Sequence, residues 1–505
     1  MIIESSIEKY GWNKKREVLK MDTLDPKVNS VANRKPARKI IKLFSWLLLI
    51  SMIIEAPAFG LNSTIKLTIW THQRHMADLI KELMNDFNHT IGRQKGIKLS
   101  MRVLGDDSWP MFHQAQKAGN GPDLYSSGYI TKYPDNFEAG AQTWFDDFPD
   151  FRRWKAQWPS WYWVEGMTTY QGHVYSIPAQ VFNSRLIYNR DLFRAAGLDP
   201  THPPRSYQAL KDAAQRISKL GHGQYYGFAY CGAESWPMEW MPSQWAEANG
   251  ESAYWDWKQG RWAMEGYSRI FQLLLDLKKE GSMFPGTEVL TNDALRAQFA
   301  EGKIGMYMGE FWDVGVFNAQ FPAKCDWGIG PIPTYDGKFH GKPRAMILSG
   351  MWNINGQSQH KLEAWEVVKW FNQYEVRALM YERGKCIDPD PIVVEKYVKH
   401  QPKVRGFEAF ANTLDQDYLA TYPILPGWKS PKDNPCTVFR NVLIYGGDIR
   451  GELNKLDRDW NRQLDAYYQK NLAIKRGWNI YPHFDRMTGK MGMPLIKPNF
   501  NVSSK

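Results

Sequence analysis

The chain has 505 residues, 43% of them hydrophobic and 14% aromatic, which leaves room for two to four domains with packed cores and excludes a disordered chain. Its formal charge is +11, but residues 1–58 hold 11 of the 64 Lys and Arg and 6 of the 53 Asp and Glu, so the remainder carries only +6. No run of basic residues interleaved with aromatics lies beyond that region, which excludes a nucleic-acid partner.

Residues 1–58 read as a signal peptide behind an N-terminal extension. Arg34, Lys35, Arg38, Lys39 and Lys42 precede an apolar run, Leu43 to Ile54, too short for the hydrocarbon core of a bilayer. Ala56-Pro57-Ala58 offers small residues for cleavage, so an exported, periplasmic protein is expected. Glu55 and the roughly forty residues ahead of the run are irregular for such a signal, and Met21 is an alternative in-frame start. No cysteine follows the run, so no lipid anchor is indicated.

Ile65 to Trp70 alternates as a strand and is followed by the polar loop Thr71 to His75. The next helix puts Met76, Leu79, Ile80, Leu83, Met84 and Phe87 on one stripe, and Ile97 to Val103 is a second strand. A polar segment, Gly105 to Gly121, leads to Pro122-Asp123-Leu124, in which Asp123 is read as a buried turn residue. Strand, helix, strand opens an α/β domain whose ligands gather at the carboxyl ends of parallel strands. That rule points to His72, Gln73 and Arg74 after the first strand and to Ser126, Ser127 and Tyr129 after the next. His72 and His75 stand three apart with no further ligand nearby, so they are read as loop residues and no metal is expected.

Val174 to Ile177 reads as a strand ended by Pro178, and Val181 to Tyr188 as another. Asp191 caps a short helix that closes on Gly197, and Ser206 caps the helix Tyr207 to Leu220. Tyr226 to Tyr230 is a strand, but CGAESWPMEWMPSQW after it has no clean period. Aromatic faces beside a carboxylate suit a pyranose, since sugar C–H bonds lie against rings while hydroxyls need directed acceptors. Trp236 and Glu234 are therefore site candidates, and Trp245 is read as structural. Helices follow at Tyr267 to Lys278, Leu295 to Glu301, Lys361 to Phe371 and Gly451 to Tyr468, with a strand over Gly302 to Gly309. Cys231, Cys325, Cys386 and Cys436 lack CxxC spacing, which points to neither a zinc ribbon nor a thioredoxin site and leaves their pairing open. No cofactor motif occurs.

The order of these pieces resembles the type 1 extracellular solute-binding proteins, the maltose-binding-protein-like receptors of sugar-importing ABC transporters. TIWTH, GIKL, GNGPDLYSSG, LIYNRDLF, AAGLD, PPRSY, GKIGMYMGEFW and LSGMWNIN stand in the family's order over residues 64 to 470. Ser206-Tyr207 replaces the family's usual Thr-Trp and keeps the cap. The resemblance implies an α/β fold of two lobes, a type II-like periplasmic-binding-protein fold, with the ligand cleft between lobes joined by crossing segments. The segments expected are 59–185 for the first lobe and 186–344 for the second, 345–380 returning to the first. Residues 381–470 supply the second lobe and its cleft-closing helices, and 471–505 form an irregular tail. It also implies that Trp312 stacks on a sugar, and adds Gln180, Trp352 and Trp428 to the candidate cleft.

The function expected is a monomeric receptor that captures a sugar or oligosaccharide and hands it to ABC permease subunits, without catalysis. A secreted glycoside hydrolase is the first alternative, drawing its acids from Asp106, Asp107, Asp146, Asp147, Glu234 and Glu310. A polyamine-type binding protein, using carboxylates and aromatic cages, is the second. Arg74 could pair with a uronate carboxylate, and equally could hold a neutral hydroxyl or form a surface ion pair.

Overall fold

The computed structural model of the protein describes residues 64–105, 108–126, 140–165, 168–349, 351–411, 416–420 and 422–498. The signal-peptide reading, Asp106, Asp107, Ser127 and Tyr129 lie outside the described residues. Strand β1 (Ile65–Thr71) alternates as the sequence suggests, with Leu67 and Ile69 fully buried. Helix α1 (Ala77–His89) turns its whole apolar stripe inward, and α2 (Ile91–Lys95) leads into β2 (Ile97–Val103). The segment after β2 is not simply a polar loop, since α3 (Ser108–Lys117) forms within it before β3 (Leu124–Tyr125). Asp123 is half-buried and clamps neighbours, accepting hydrogen bonds from Thr68 N (2.8 Å) and Ser358 Oγ (2.7 Å).

After α4 (Phe151–Lys155), the expected strand at Val174 shrinks to the small hairpin of β4 (Thr169–Tyr170) and β5 (His173–Val174). Pro178 opens rather than ends a strand, β6 (Pro178–Phe182), and Asn183 separates it from β7 (Ser184–Asn189). Asn189, not Asp191, caps α5 (Arg190–Ala195): its side chain accepts from Asp191 N and Leu192 N. The order continues with α6 (Tyr207–Gly221), β8 (Tyr226–Ala229) and α7 (Ser235–Ala248). Helix α7 is where periodicity misleads. Nearly every residue from Pro237 to Ala248 is buried, and a helix covered all round carries no polar stripe to read. A hairpin, β9 (Tyr254–Asp256) and β10 (Arg261–Ala263), precedes α8 (Ser268–Lys279), α9 (Asn292–Ala300) and β11 (Ile304–Glu310). The chain goes on through β12 (Trp327–Gly330), β13 (Arg344–Ser349), β14 (Asn353–Ile354), α10 (Lys361–Phe371) and α11 (Tyr374–Glu382). Strand β15 (Tyr418–Ala420), α12 (Pro435–Tyr445) and α13 (Ile449–Lys470) follow.

One four-stranded sheet has the order β14-β3-β1-β2, with β1 parallel to β2 and β3. A second has the order β12-β7-β11-β8, with β11 parallel to β8 and antiparallel to β7. A third sheet has three strands in the order β15-β13-β6. Its strands β6 and β13 pair antiparallel, Met346 opposite Phe182 and Ile347 opposite Val181. β6 passes through Asn183 into the second sheet, and β13 passes through Met351 and Trp352 to β14 of the first. The paired strands thus carry the chain across in both directions, which makes a two-lobed α/β body.

Residues 381–398, assigned from sequence to the second lobe, also serve the first. Arg377 on α11 holds Asp388 through Nε (2.8 Å) and reaches Tyr162 (2.8 Å), whereas Phe407 and Phe410 pack on Phe311. The tail is irregular but anchored: Trp478, Asn479 and Phe484 are buried, and Asn479 Oδ1 accepts from Ile424 N at 2.6 Å.

Candidate functional site

The loop after β1 and the end of β3 face each other through a polar contact. His72 Nδ1 lies 2.9 Å from Ser126 Oγ, and His72 N donates to the same oxygen at 3.2 Å. Burial, helped by the charge of Arg74, pulls His72 down to about 4, so its imidazole is neutral at physiological pH. Burial also pulls His75 down to about 3, with Lys385 and Arg296 adding to the effect. Gln73 is buried, and its Oε1 has no protein donor. Among the described residues no cluster of three metal-ligating side chains occurs.

Arg74 leaves this loop toward the opposite lobe, where it is ion-paired with Asp293 at the start of α9. Beside it, a Cβ placed on Gly315 would stand 3.0 Å from His75 Cβ, so the glycine permits close approach. Of the roles open to this guanidinium, the structure shows an ion pair within the protein.

On the other lobe, a second cluster is built at the end of β11 and the start of α7. Trp312 is half-buried, 4.9 Å from the ring of Phe182 and 5.8 Å from that of Trp236. Trp236 is 38% exposed and donates from Nε1 to Glu234 Oε2 at 3.0 Å, while Glu234 Oε1 accepts from Asn292 N at 3.2 Å. One carboxylate therefore fixes an indole and the first residue of α9. Trp245 is fully buried and donates to Ser184 Oγ, as expected of a structural residue.

Of three further candidates, two are buried in the core and Trp428 is half-buried. Trp352 is only 1% exposed and meets Phe371 edge-on at 5.4 Å, so it belongs to the core of the first lobe. Gln180 is buried in β6 with its amide Nε2 3.0 Å from Met351 Sδ, a packing position at the crossing. Trp428 packs on Trp262 (5.6 Å) and Tyr467 (5.5 Å) against α13. Alternation and small-residue motifs mark such positions without saying which face of a crossing strand meets solvent.

Sequence reasoning missed the continuation of α7. Trp236, Glu239, Trp240, Ser243 and Glu247 share a face at spacings of three and four. Arg344 lies with Cζ 5.0 Å from the Trp240 ring and 5.6 Å from that of Tyr254. Burial pushes the Glu239 carboxyl up to about 7. Recognising the segment as a helix would have exposed this spacing.

Two of the acids considered for hydrolysis, Asp146 and Glu310, are used structurally. Asp146 accepts from Val174 N at 2.6 Å, and Glu310 is wholly buried, taking a bond from Gln244 at 3.0 Å. Burial, then neighbouring Asp313, holds Glu310 well above the usual carboxylate range. The four cysteines are buried free thiols.

The model of the bacterial extracellular solute-binding protein family matches residues 75–378. The chain belongs to this family. Among curated members, it is 24% identical over 440 residues to the sn-glycerol-3-phosphate-binding periplasmic protein UgpB of Rhizobium meliloti (strain 1021), covering 81% of this chain and 92% of that protein. Its fold resembles that of an ABC transporter solute-binding protein of Thermotoga lettingae bound to α-D-tagatose, at a TM-score of 0.61 and 22% identity, over 79% of this chain and 100% of the other. The maltose/maltodextrin-binding domain of Bdellovibrio bacteriovorus bound to maltotriose is similar at a TM-score of 0.58 and 18% identity, again over 79% and 100%. For this solute-binding protein, the fold is therefore that of the two-lobed receptors.

Proposed function

We propose that this solute-binding protein captures a sugar or oligosaccharide between its lobes and delivers it to the permease of an ABC importer. The observation that carries the reading is the pairing of Trp236 and Trp312 at 5.8 Å beside the Glu234 carboxylate, with the polar His72–Ser126 contact on the other lobe. Rings of this kind offer rigid area to sugar C–H faces, and the carboxylate and amide groups answer hydroxyls. The tagatose-bound and maltotriose-bound proteins of like fold support the same ligand class.

The UgpB relatives raise sn-glycerol-3-phosphate as a second ligand. A phosphate dianion calls for cationic donors, whereas here Arg74 is engaged by Asp293 and His72 is held neutral, which favours an uncharged sugar. We assign no catalytic role: Asp146 and Glu310 are tied to structural partners, and a reversible receptor gains nothing from a general acid. Action as an exported, periplasmic monomer whose lobes hinge at the paired strands β6 and β13 is part of the proposal.

A thermal-shift screen of mono- and oligosaccharides, with sn-glycerol-3-phosphate and spermidine as rivals, tests the reading. A ligand at about 100 times its Kd adds about 2.7 kcal/mol to stability. Stabilisation by glycerol phosphate or spermidine alone would overturn it, and release of shorter sugars from oligosaccharides would point to a hydrolase.

A further inference from the structure

A groove of about 410 Å³ opens on the first lobe, within the size range of small-molecule sites and sharing no residue with the cleft described above. Four helices and the turn Val393–Tyr397 converge on it. α2 supplies Lys95, α4 supplies Trp154 with Trp158 just beyond it, and α10 supplies Glu366, Lys369 and Trp370. The remaining wall comes from Tyr374 on α11 and from Tyr397.

The lining is aromatic below and polar at the rim. Trp154 and Trp158 stand 5.4 Å apart at 61°, Tyr374 meets Trp158 edge-on at 5.1 Å, and Tyr374 and Tyr397 lie 4.9 Å apart at 33°. These contacts fix the rings, so their remaining surface is presented at little entropic cost. Behind them, Trp370 packs edge-on against Phe87 of α1 at 5.5 Å, which ties the floor to the core.

The charges over this floor are already balanced. Lys95 lies 3.4 Å from Glu366, and Lys369 lies 2.8 Å from Glu366 and 2.6 Å from Asp150. Two lysines and two glutamates, Glu366 and Glu375, line the groove, so it selects for neither an anion nor a cation. It does present ammonium donors, carboxylate acceptors and the exposed amides of Gln157 and Gln373 around an apolar base.

We propose that this groove is a second carbohydrate site, binding one end of a neutral saccharide through ring stacking and hydrogen bonds to the polar rim. An uncharged pyranose is the chemistry that uses every part of the lining: an apolar face for the rings, and hydroxyls for the paired charges and amides. The proposal rests on the groove alone and not on the cleft reading.

The test uses the full chain with the cleft disabled by Trp236→Ala and Trp312→Ala together. Calorimetric titration with maltose, cellobiose, xylobiose and mannobiose at millimolar concentrations should show one-to-one binding of at least one of them. Adding Gln373→Ala, which removes an exposed rim amide and leaves the rings in place, should weaken that binding about fivefold. Adding Tyr397→Ala instead should weaken it about tenfold. Absence of binding by all four sugars in the cleft-disabled protein overturns the proposal, as does binding that neither groove substitution changes. The cleft reading is judged separately, from the wild-type protein and the cleft variant.

Discussion

Arg74, in the loop after β1, is ion-paired with Asp293 at the first turn of α9, so a side chain from one lobe is held by a carboxylate of the other. Both side chains are mostly shielded, and Asp293 also lies 3.3 Å from Arg296, which keeps the carboxylate in place when the lobes part. If the lobes hinge as proposed, the pair favours the closed arrangement, and a ligand that touches both lobes adds to the same preference.

Asp293→Asn removes the charge of the latch while keeping its size. The ligand-free variant should favour open forms by on the order of 1 kcal/mol, about fivefold in population. Small-angle scattering should record a larger radius of gyration than for the wild type. Equal radii would show that the contact holds nothing closed.

The two candidate ring residues differ in burial, which separates binding from folding. Trp236→Ala should weaken sugar binding by about 2 kcal/mol, about 30-fold, because the ring is substantially exposed and carries little of the core. Its melting temperature should stay near that of the wild type. Trp312→Ala, next to Phe182 at 4.9 Å, should lower both affinity and stability. Calorimetry and thermal melts on the two variants decide this, and normal affinity in folded Trp236→Ala protein would remove it from the site.

Trp352→Ala is the opposite control. Truncating a ring that is fully enclosed against Phe371 should cost about 3–5 kcal/mol of stability. The protein that remains folded should bind its sugar normally. Chemical denaturation paired with titration checks both statements, and a loss of affinity at full folding would return Trp352 to the cleft.

His72 and His75 give a signed pH dependence. Their folded values, about 4 and about 3, lie below the ordinary value of about 6.5, so from about pH 6.5 down to those values the unfolded chain binds protons that the native protein does not. Stability is complete above pH 6.5 and falls with acidification, by up to about 1.4 kcal/mol per pH unit for each histidine. Urea titrations of the wild type and His75→Asn between pH 4 and 7 should show a shallower slope for the variant. Parallel slopes would mean that His75 titrates alike in both states.

The thiols provide a simple check of the interior. All four cysteines are buried, and burial pushes Cys325 up to about 11, so an aromatic disulfide reagent should label them only after denaturation. Fast labelling of the native protein would contradict the packing around Cys231, Cys325, Cys386 and Cys436.

Local pattern alone determined much of the fold. The stripe of α1, the alternation of β1, the cap at Ser206 and the full extent of α10 were legible because each depends on neighbours three, four or two residues away. The order of short motifs placed the chain in its family, and the aromatic-acidic composition of 234–236 named two residues that the fold does bring beside Trp312. The tertiary structure decided what periodicity cannot carry. It buried α7 on all sides and so erased its stripe, broke the stretch Val181 to Tyr188 at Asn183 into two sheets, and spent Arg74 on Asp293, 219 residues away. It also turned Trp352 inward. Which side of a crossing strand or buried helix meets solvent depends on what packs against it from distant parts of the chain, and that information has no period in the sequence.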